Sequence, residues 1–451
     1  MREALAGTIA PAATRRSSRT GYRPWRANPL EASKQAEGSW LRKLGPGLIT
    51  GAADDDPSGI ATYSQAGAQF GFGLLWVMFF TYPLMVVIQV ISARIGRVTG
   101  HGLGHNLRRH YPRPLLYGIV ASLLIANTIN IAADLVAMGD AVRLVAGGPS
   151  HVYTIALGLL SVGLQVFLPY SRYVRVLKWL TLALFAYGAT VFAVDIPWLE
   201  VLSSLVWPGA ALSTGYITTL VAVLGTTISP YLFFWQASQE VEDQRADPQA
   251  VPLRWAPKLA RRDFERIGTD TYVGMGVSNL VAFFIMLTTA VTLHAHGITD
   301  IQTTAQAASA LKPIAGELAF GLFCLGIVGT GLLGIPVLAG SAAYAFAGAF
   351  GWKSSLEHAP DVAPHFYGVI AFATLAGIGI GLTPIDPIQA LYWSAVINGV
   401  AAVPVMVVMM AMASRPEVMG KLVIGRRLKV LGWIATAMMA VAVFAMFLVR
   451  S

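Results

Sequence analysis

The sequence has one cysteine in 451 residues, Cys324, so no disulfide can form within the chain and no thiolate cluster can hold a metal. Cys324 lies in an apolar run and reads as a small buried hydrophobe. Charge is scarce as well: Asp, Glu, Lys and Arg make up 12% of the residues, about half the roughly 25% of a soluble domain. With 55% hydrophobic residues, a mean hydropathy of +0.61 and long apolar runs, that scarcity excludes an ordinary soluble protein and indicates a polytopic membrane protein. Strand-type alternation over segments of about ten residues is missing, which argues for an all-α chain and against a β-barrel. No His-Glu-x-x-His or Gly-x-Ser-x-Gly motif is present, which makes a membrane enzyme the weakest reading. The formal charge of +9 is not a nucleic-acid signal, because the basic residues fall between apolar runs.

Residues 1–43 are polar and basic, lack the apolar core of a signal peptide, and read as a disordered cytoplasmic tail. The transporter domain is then 44–451. Eleven candidate spans follow, at about 46–69, 73–97, 114–145, 151–168, 174–195, 212–238, 270–294, 316–348, 365–383, 387–413 and 428–449. Pro336 is expected to kink the eighth. Placing the N-terminus inside puts 29 of the 32 Lys and Arg residues in the tail and in the loops after spans 2, 4, 6, 8 and 10. Only Arg143, Lys312 and Arg450 are left outside, so an odd number of spans is predicted, in a plasma membrane, with the C-terminus outside.

Span 1 carries Asp54, Asp55 and Asp56, followed by Pro57, Ser58 and Gly59. One carboxylate near a bilayer centre costs roughly 2.5–3.5 kcal/mol on insertion scales, so three together predict function. Pro57 breaks the helix and frees main-chain carbonyls, and carboxylate plus carbonyl is a cation's ligand set. Span 6 repeats the break at Pro230, after the hydroxyl-rich Thr226-Thr227-Ile228-Ser229. Two interrupted helices five spans apart predict an inverted-repeat transporter with its site at mid-bilayer. The repeats would be about 44–195 and 212–413, with helix 428–449 added.

These residues resemble the NRAMP family of divalent-metal transporters over most of the chain after about Leu41. The shared features are Asp56-Pro57 in span 1, the Ser229-Pro230 break in span 6, Asp134-Leu135 in span 3, and eleven spans with the N-terminus inside. The resemblance implies a LeuT-type fold and metal held between broken helices 1 and 6. Where the family has Asp-Pro-Gly-Asn, this chain has Asp56-Pro57-Ser58-Gly59, so the asparagine ligand is missing. Where it has Met-Pro-His-Asn, this chain has Ser229-Pro230-Tyr231-Leu232, without the thioether or the histidine. A second family histidine aligns with Gln236, and the glutamate tied to proton movement in span 3 is replaced by Ala137.

The departures leave an all-oxygen site, which suits Mg²⁺, Ca²⁺ and Mn²⁺ better than softer ions. The pattern is similar to the NRAMP-related magnesium transporters. The expected substrate is Mg²⁺, with Mn²⁺ also accepted, and no resident cofactor is implied. The expected metal residues are Asp55, Asp56, Gly59, Thr226 through its carbonyl, Ser229, Gln236 and Asn398. The expected pathway residues are Asn130, Asp134, Tyr231 and Glu240. A divalent ion gains about 4.6 kcal/mol per 100 mV, roughly three decades of accumulation, so uptake without proton coupling is feasible.

Alternatives stay open at this point. They are a proton-coupled Mn²⁺/Fe²⁺ transporter of the ordinary family type, a channel, and an amino-acid carrier of the same fold. Channels usually use symmetric rings of charge, and Asp54 to Asp56 would repel a substrate carboxylate. Asn127, Asn130 and Asp134 share a helical face and line either an aqueous path or an interhelical contact. Gln236 and Glu240 read as an inner gate or an ion position, Glu242 and Asp243 as a solvated helix end, and His101, His105 and His110 as a solvated loop. The expected partners are the metal ion and the lipid bilayer, with no nucleic acid, and the chain is expected to be a monomer.

Overall fold

Two prolines set the frame of the molecule. The computed structural model describes residues 46–170, 172, 180–206, 213–248, 250–357, 359–384 and 386–450. The predicted tail, 1–43, and residues 174–179 of predicted span 5 lie outside the described residues. Helix α1 (Pro46–Asp54) stops at the acidic triplet and α2 (Pro57–Phe70) starts at the proline. Asp56 is extended (φ −68°, ψ 171°), as a residue before proline must be, and its side chain caps α2. The second break repeats this. Helix α9 (Thr214–Thr227) ends, Ile228 and Ser229 leave the helical region, and α10 (Pro230–Ala246) begins with proline at its first position.

The order in between is α3 (Leu75–Thr99), α4 (Leu103–His110), α5 (Arg113–Ala146), α6 (Ser150–Phe167), α7 (Phe185–Thr190) and α8 (Trp198–Val206). After α10 come α11 (Ala260–Thr292), α12 (Thr304–Ser309), α13 (Ala319–Phe350), α14 (Pro364–Gly381), α15 (Pro387–Ala413) and α16 (Arg426–Arg450). Among the described residues, nine helical stretches are long and apolar enough to cross a membrane. The first, Pro57–Thr99, holds the second half of predicted span 1 and all of span 2, joined by a tight turn at Gly71. No strand occurs among the described residues.

Pro336 lies inside α13. One expectation needs correcting. His105 and His110 sit on helix α4, not in a loop, and the His101 and His105 rings stack with centroids 4.0 Å apart.

The broken helices lie against each other. The Tyr231 hydroxyl on α10 donates to the Ala53 carbonyl on α1 (3.4 Å), and the Thr50 hydroxyl on α1 donates to the Gln236 amide oxygen on α10. The Tyr63 hydroxyl on α2 pairs with that of Thr227 on α9 (3.3 Å). The first half of one thus meets the second half of the other, as inverted repeats require. Both halves of the first broken helix also pack on the unbroken α11. Asp270 there accepts the Gly47 N–H at the start of α1 (2.7 Å). A Cβ on Gly51 would lie 2.2 Å from the Gly274 carbonyl oxygen, so the two backbones touch with no side chain between them. The large apolar residues left exposed, such as Val441, Phe444 and Phe447 on α16, form the surface expected against lipid.

Candidate metal centre

Asp56 is the fixed point of the centre. It is 1% exposed, and its Oδ1 accepts the Gly59 N–H at 2.8 Å, the capping bond that starts α2. Its Oδ2 accepts from the Asn130 amide at 3.1 Å and from the Tyr231 hydroxyl at 3.3 Å. One carboxylate therefore ties together α2, α5 and α10. The partners are an amide, a phenol and a backbone N–H, none of them positively charged.

Asn130 is the hub behind it. Its amide nitrogen donates both to Asp56 and to Asp134 Oδ2 (3.1 Å), one turn along α5. Its amide oxygen accepts from Asn398 on α15 at 2.9 Å. The four side chains are buried. Asp134 Oδ1 and Asn398 Oδ1 have no hydrogen-bond partner, which is unusual for buried oxygens and leaves acceptors for a cation. Asn127, on the same face of α5, is drawn elsewhere. Its amide donates to the Leu338 carbonyl and the Ser341 hydroxyl of α13, both at 2.8 Å, so it serves helix packing.

At Gly59 the two helix breaks approach each other closely beside this cluster. A Cβ there would lie 3.2 Å from the Asp54 carbonyl oxygen, 3.2 Å from the Thr226 hydroxyl and 3.4 Å from the Tyr63 ring. The missing side chain lets a carbonyl from one helix break and a hydroxyl from the other pack against α2. The Thr226 carbonyl, expected from the sequence to face an ion, instead accepts from the Ser229 hydroxyl at 2.8 Å. That hydroxyl also reaches the Gly225 carbonyl (2.7 Å), so Ser229 closes the end of α9.

The remaining expected residues sit further off. Asp55 meets α11, where Ser278 Oγ stands 3.1 Å from its Oδ1 and 2.7 Å from Asp54 Oδ2. Asp54 Oδ1 is buried without a partner. Ser278 had no sequence signal, since a lone serine in an apolar span has no pattern. Gln236 faces Thr50, one turn before the triplet. Glu240 is fully buried and pairs with Arg266 of α11 at 2.5 Å, with Asp243 at 3.4 Å from the same guanidinium. An ion pair closing the α10–α11 contact thus takes the place of a hydrated-ion ligand. Glu242 is not solvated either, because the Ser355 and Tyr344 hydroxyls donate to it at 2.7 and 3.3 Å.

A cavity of about 80 Å³ opens beyond Glu242, lined by His101, His105, Ser238 and Arg245 among others. Burial, helped by the neighbouring His101 and Arg108, pushes the His105 imidazole down to about 4. His101 is lowered too, first by burial and then by Arg245. The stacked rings are therefore neutral near pH 7. No group of three or more His, Cys, Asp or Glu side chains with metal-binding spacing occurs among the described residues. The groups around Asp56 are instead mixed: carboxylate, amide, phenol and backbone N–H.

The family described as natural resistance-associated macrophage protein-like (Nramp) matches residues 47–449. The divalent metal cation transporter MntH of Klebsiella pneumoniae strain 342 is 26% identical over 417 residues, covering 90% of this chain and 94% of that protein. The Eremococcus coleocola manganese transporter, solved with an aromatic bis-isothiourea compound, superposes with a TM-score of 0.69 at 17% identity. The match covers 90% of this chain and 87% of that one. MhsT, solved with L-phenylalanine, superposes with a TM-score of 0.58 at 11% identity, covering 92% of this chain and all of that one. At these identities the structural likeness speaks for the fold alone.

Proposed function

The chain belongs to the Nramp family and has its LeuT-type, all-α membrane fold, and from that premise we propose that it carries Mg²⁺, and Mn²⁺ as a second substrate, by alternating access. It is a divalent metal cation transporter of the Nramp type. The finer reading is supported by the two oxygens that converge on Gly59, next to a buried carboxylate with no basic partner. The ion would sit there on Asp56, the Asp54 carbonyl and the Thr226 hydroxyl. The free oxygens of Asp134 and Asn398 would take its water shell. Asp55, Ser229 and Gln236 would stand behind it and set its surroundings. None of the partners given for Asp56, Asn130 and Asp134 is a sulfur, and an all-oxygen, partly hydrated site favours a hard ion.

Burying carboxylates without a counter-charge is expensive, so an arriving dication offsets charge that the fold has left uncompensated. The membrane potential then supplies the driving force, at about 2.3 kcal/mol per charge per 100 mV. One observation favours the alternative of proton-coupled Mn²⁺ transport: Asn130 joins Asp56 to Asp134 through a single amide, and Asp134 keeps an unpartnered oxygen. The distribution of basic residues supports an N-terminus on the cytoplasmic side of a plasma membrane.

The test is uptake into proteoliposomes with a set potential, comparing Mg²⁺, Mn²⁺ and Ca²⁺, with internal pH recorded. Mg²⁺ uptake without internal acidification is expected, and Asp56→Ala should abolish it. Normal transport by Asp56→Ala would remove the site. Acidification that tracks the flux would move the reading to the coupled alternative.

A further inference from the structure

We infer that a cavity on the face opposite the start of α1 is a second ion position, where a divalent cation waits with its water shell before it reaches Asp56. The inference rests on the divalent-cation reading above. The cavity has a volume of about 290 Å³, and its walls include Gln65, Gln69, Asp300, Gln389, Tyr392 and Trp393. Six waters around a hard cation fill about 180 Å³ at ~30 Å³ each, so a hydrated ion enters without losing any. The outward hydrogens of such a shell are donors, and three amide oxygens, a phenol and a carboxylate are suited to receive them.

The lining is built rather than incidental. The Gln65 amide nitrogen donates to Asp300 Oδ1 (3.2 Å), and the Ile301 N–H donates to the Gln65 amide oxygen (3.0 Å). The segment between α11 and α12 is thereby latched onto α2, with its carboxylate beside the cavity. The Thr219 hydroxyl pairs with that of Tyr392 (2.9 Å) and reaches the Gln69 amide oxygen (3.4 Å), which joins the α9, α15 and α2 walls. Asp386 accepts the backbone N–H of Gln389 (3.0 Å) and so caps the start of α15, the turn from which the Gln389 side chain lines the cavity.

Ile388 lines both this cavity and a small apolar pocket of about 10 Å³ that also takes in Ile60 and Leu391, too little space for a hydrated ion. The Leu391 carbonyl in turn accepts from the Ser58 hydroxyl (3.0 Å), two residues from Asp56. In the proposed order an ion from this face would occupy the polar cavity first and reach Asp56 only when the apolar packing at Ile388 and Leu391 opens.

Asp300→Asn tests this, because it removes the charge while keeping an acceptor for Gln65. Uptake at sub-saturating Mg²⁺ or Mn²⁺ should fall about three- to tenfold, with the maximal rate unchanged. In the Asp56→Ala protein, electron paramagnetic resonance should detect weakly bound, fully hydrated Mn²⁺ that disappears when Asp300→Asn is added. An uptake curve that superposes on the unsubstituted protein's, or no hydrated Mn²⁺ in Asp56→Ala, would overturn the inference. So would a lower maximal rate at unchanged half-saturation, which would make the Gln65–Asp300 contact only a latch. Transport by Asp56→Ala reports separately on the metal centre.

Discussion

Gly59→Ala isolates the oxygens converging on Gly59 from the rest of the metal centre. The added methyl would sit 3.2 Å from the Asp54 carbonyl oxygen and 3.2 Å from the Thr226 hydroxyl, tight but not overlapping. The backbone of α2 is helical there, and alanine is favoured over glycine in a helix by about 0.8–1.0 kcal/mol. Those terms oppose each other, so the folded protein should melt within a few degrees of the original. The ion fares differently, because the methyl stands where it would approach both oxygens. A hydrogen bond or ligand contact to a charged group is worth about 1.5–3 kcal/mol, and losing one weakens binding roughly 10- to 150-fold. The assay is concentration-dependent Mg²⁺ and Mn²⁺ uptake, paired with a thermal melt in detergent. A half-saturation rise of that order with little change in melting is the expected result. Unchanged half-saturation in a protein of unchanged melting would refute the placement of the ion at Gly59.

Two further outcomes follow from the face where α1 begins. Arg266→Ala should destabilise the protein by about 3–5 kcal/mol, because it strands the buried Glu240 carboxylate, whereas Glu240→Gln should cost less; chemical or thermal unfolding of both variants checks the order. His105 has its folded-state value depressed to about 4 from 6.5, so its contribution to stability is complete above about pH 6.5 and is lost as pH falls through about 4. Melting temperature should therefore fall over that window, and His105→Asn should flatten the fall.

The breaks were legible because proline leaves the same mark in any sequence: Pro57 and Pro230 each start a helix where a span should run on. Asn130 and Asp134 were legible through helical spacing, which puts residues four apart on one face. Spacing says which residues share a face but not what the face meets. Asn127 obeys the same rule and binds α13 instead of the carboxylates. The role of Ser278 depends on where α11 passes the first break, and the pairing of Glu240 with Arg266 on a contact between two helices. Both are properties of packing that a local pattern does not encode. The same limit made the helix end at Glu242 and the segment holding His105 look wetter than they are.

Gly51 and Gly274 meet as bare main chain, between an upper contact at Ser278 and a lower one at Asp270. Close backbone contact of this kind leaves no room for a side chain, so the position of α1 on α11 is set by the polar contacts at its two ends. Bulk at either glycine would therefore jam the cycle without touching the cargo, and the transporter would still load its ion but fail to deliver it.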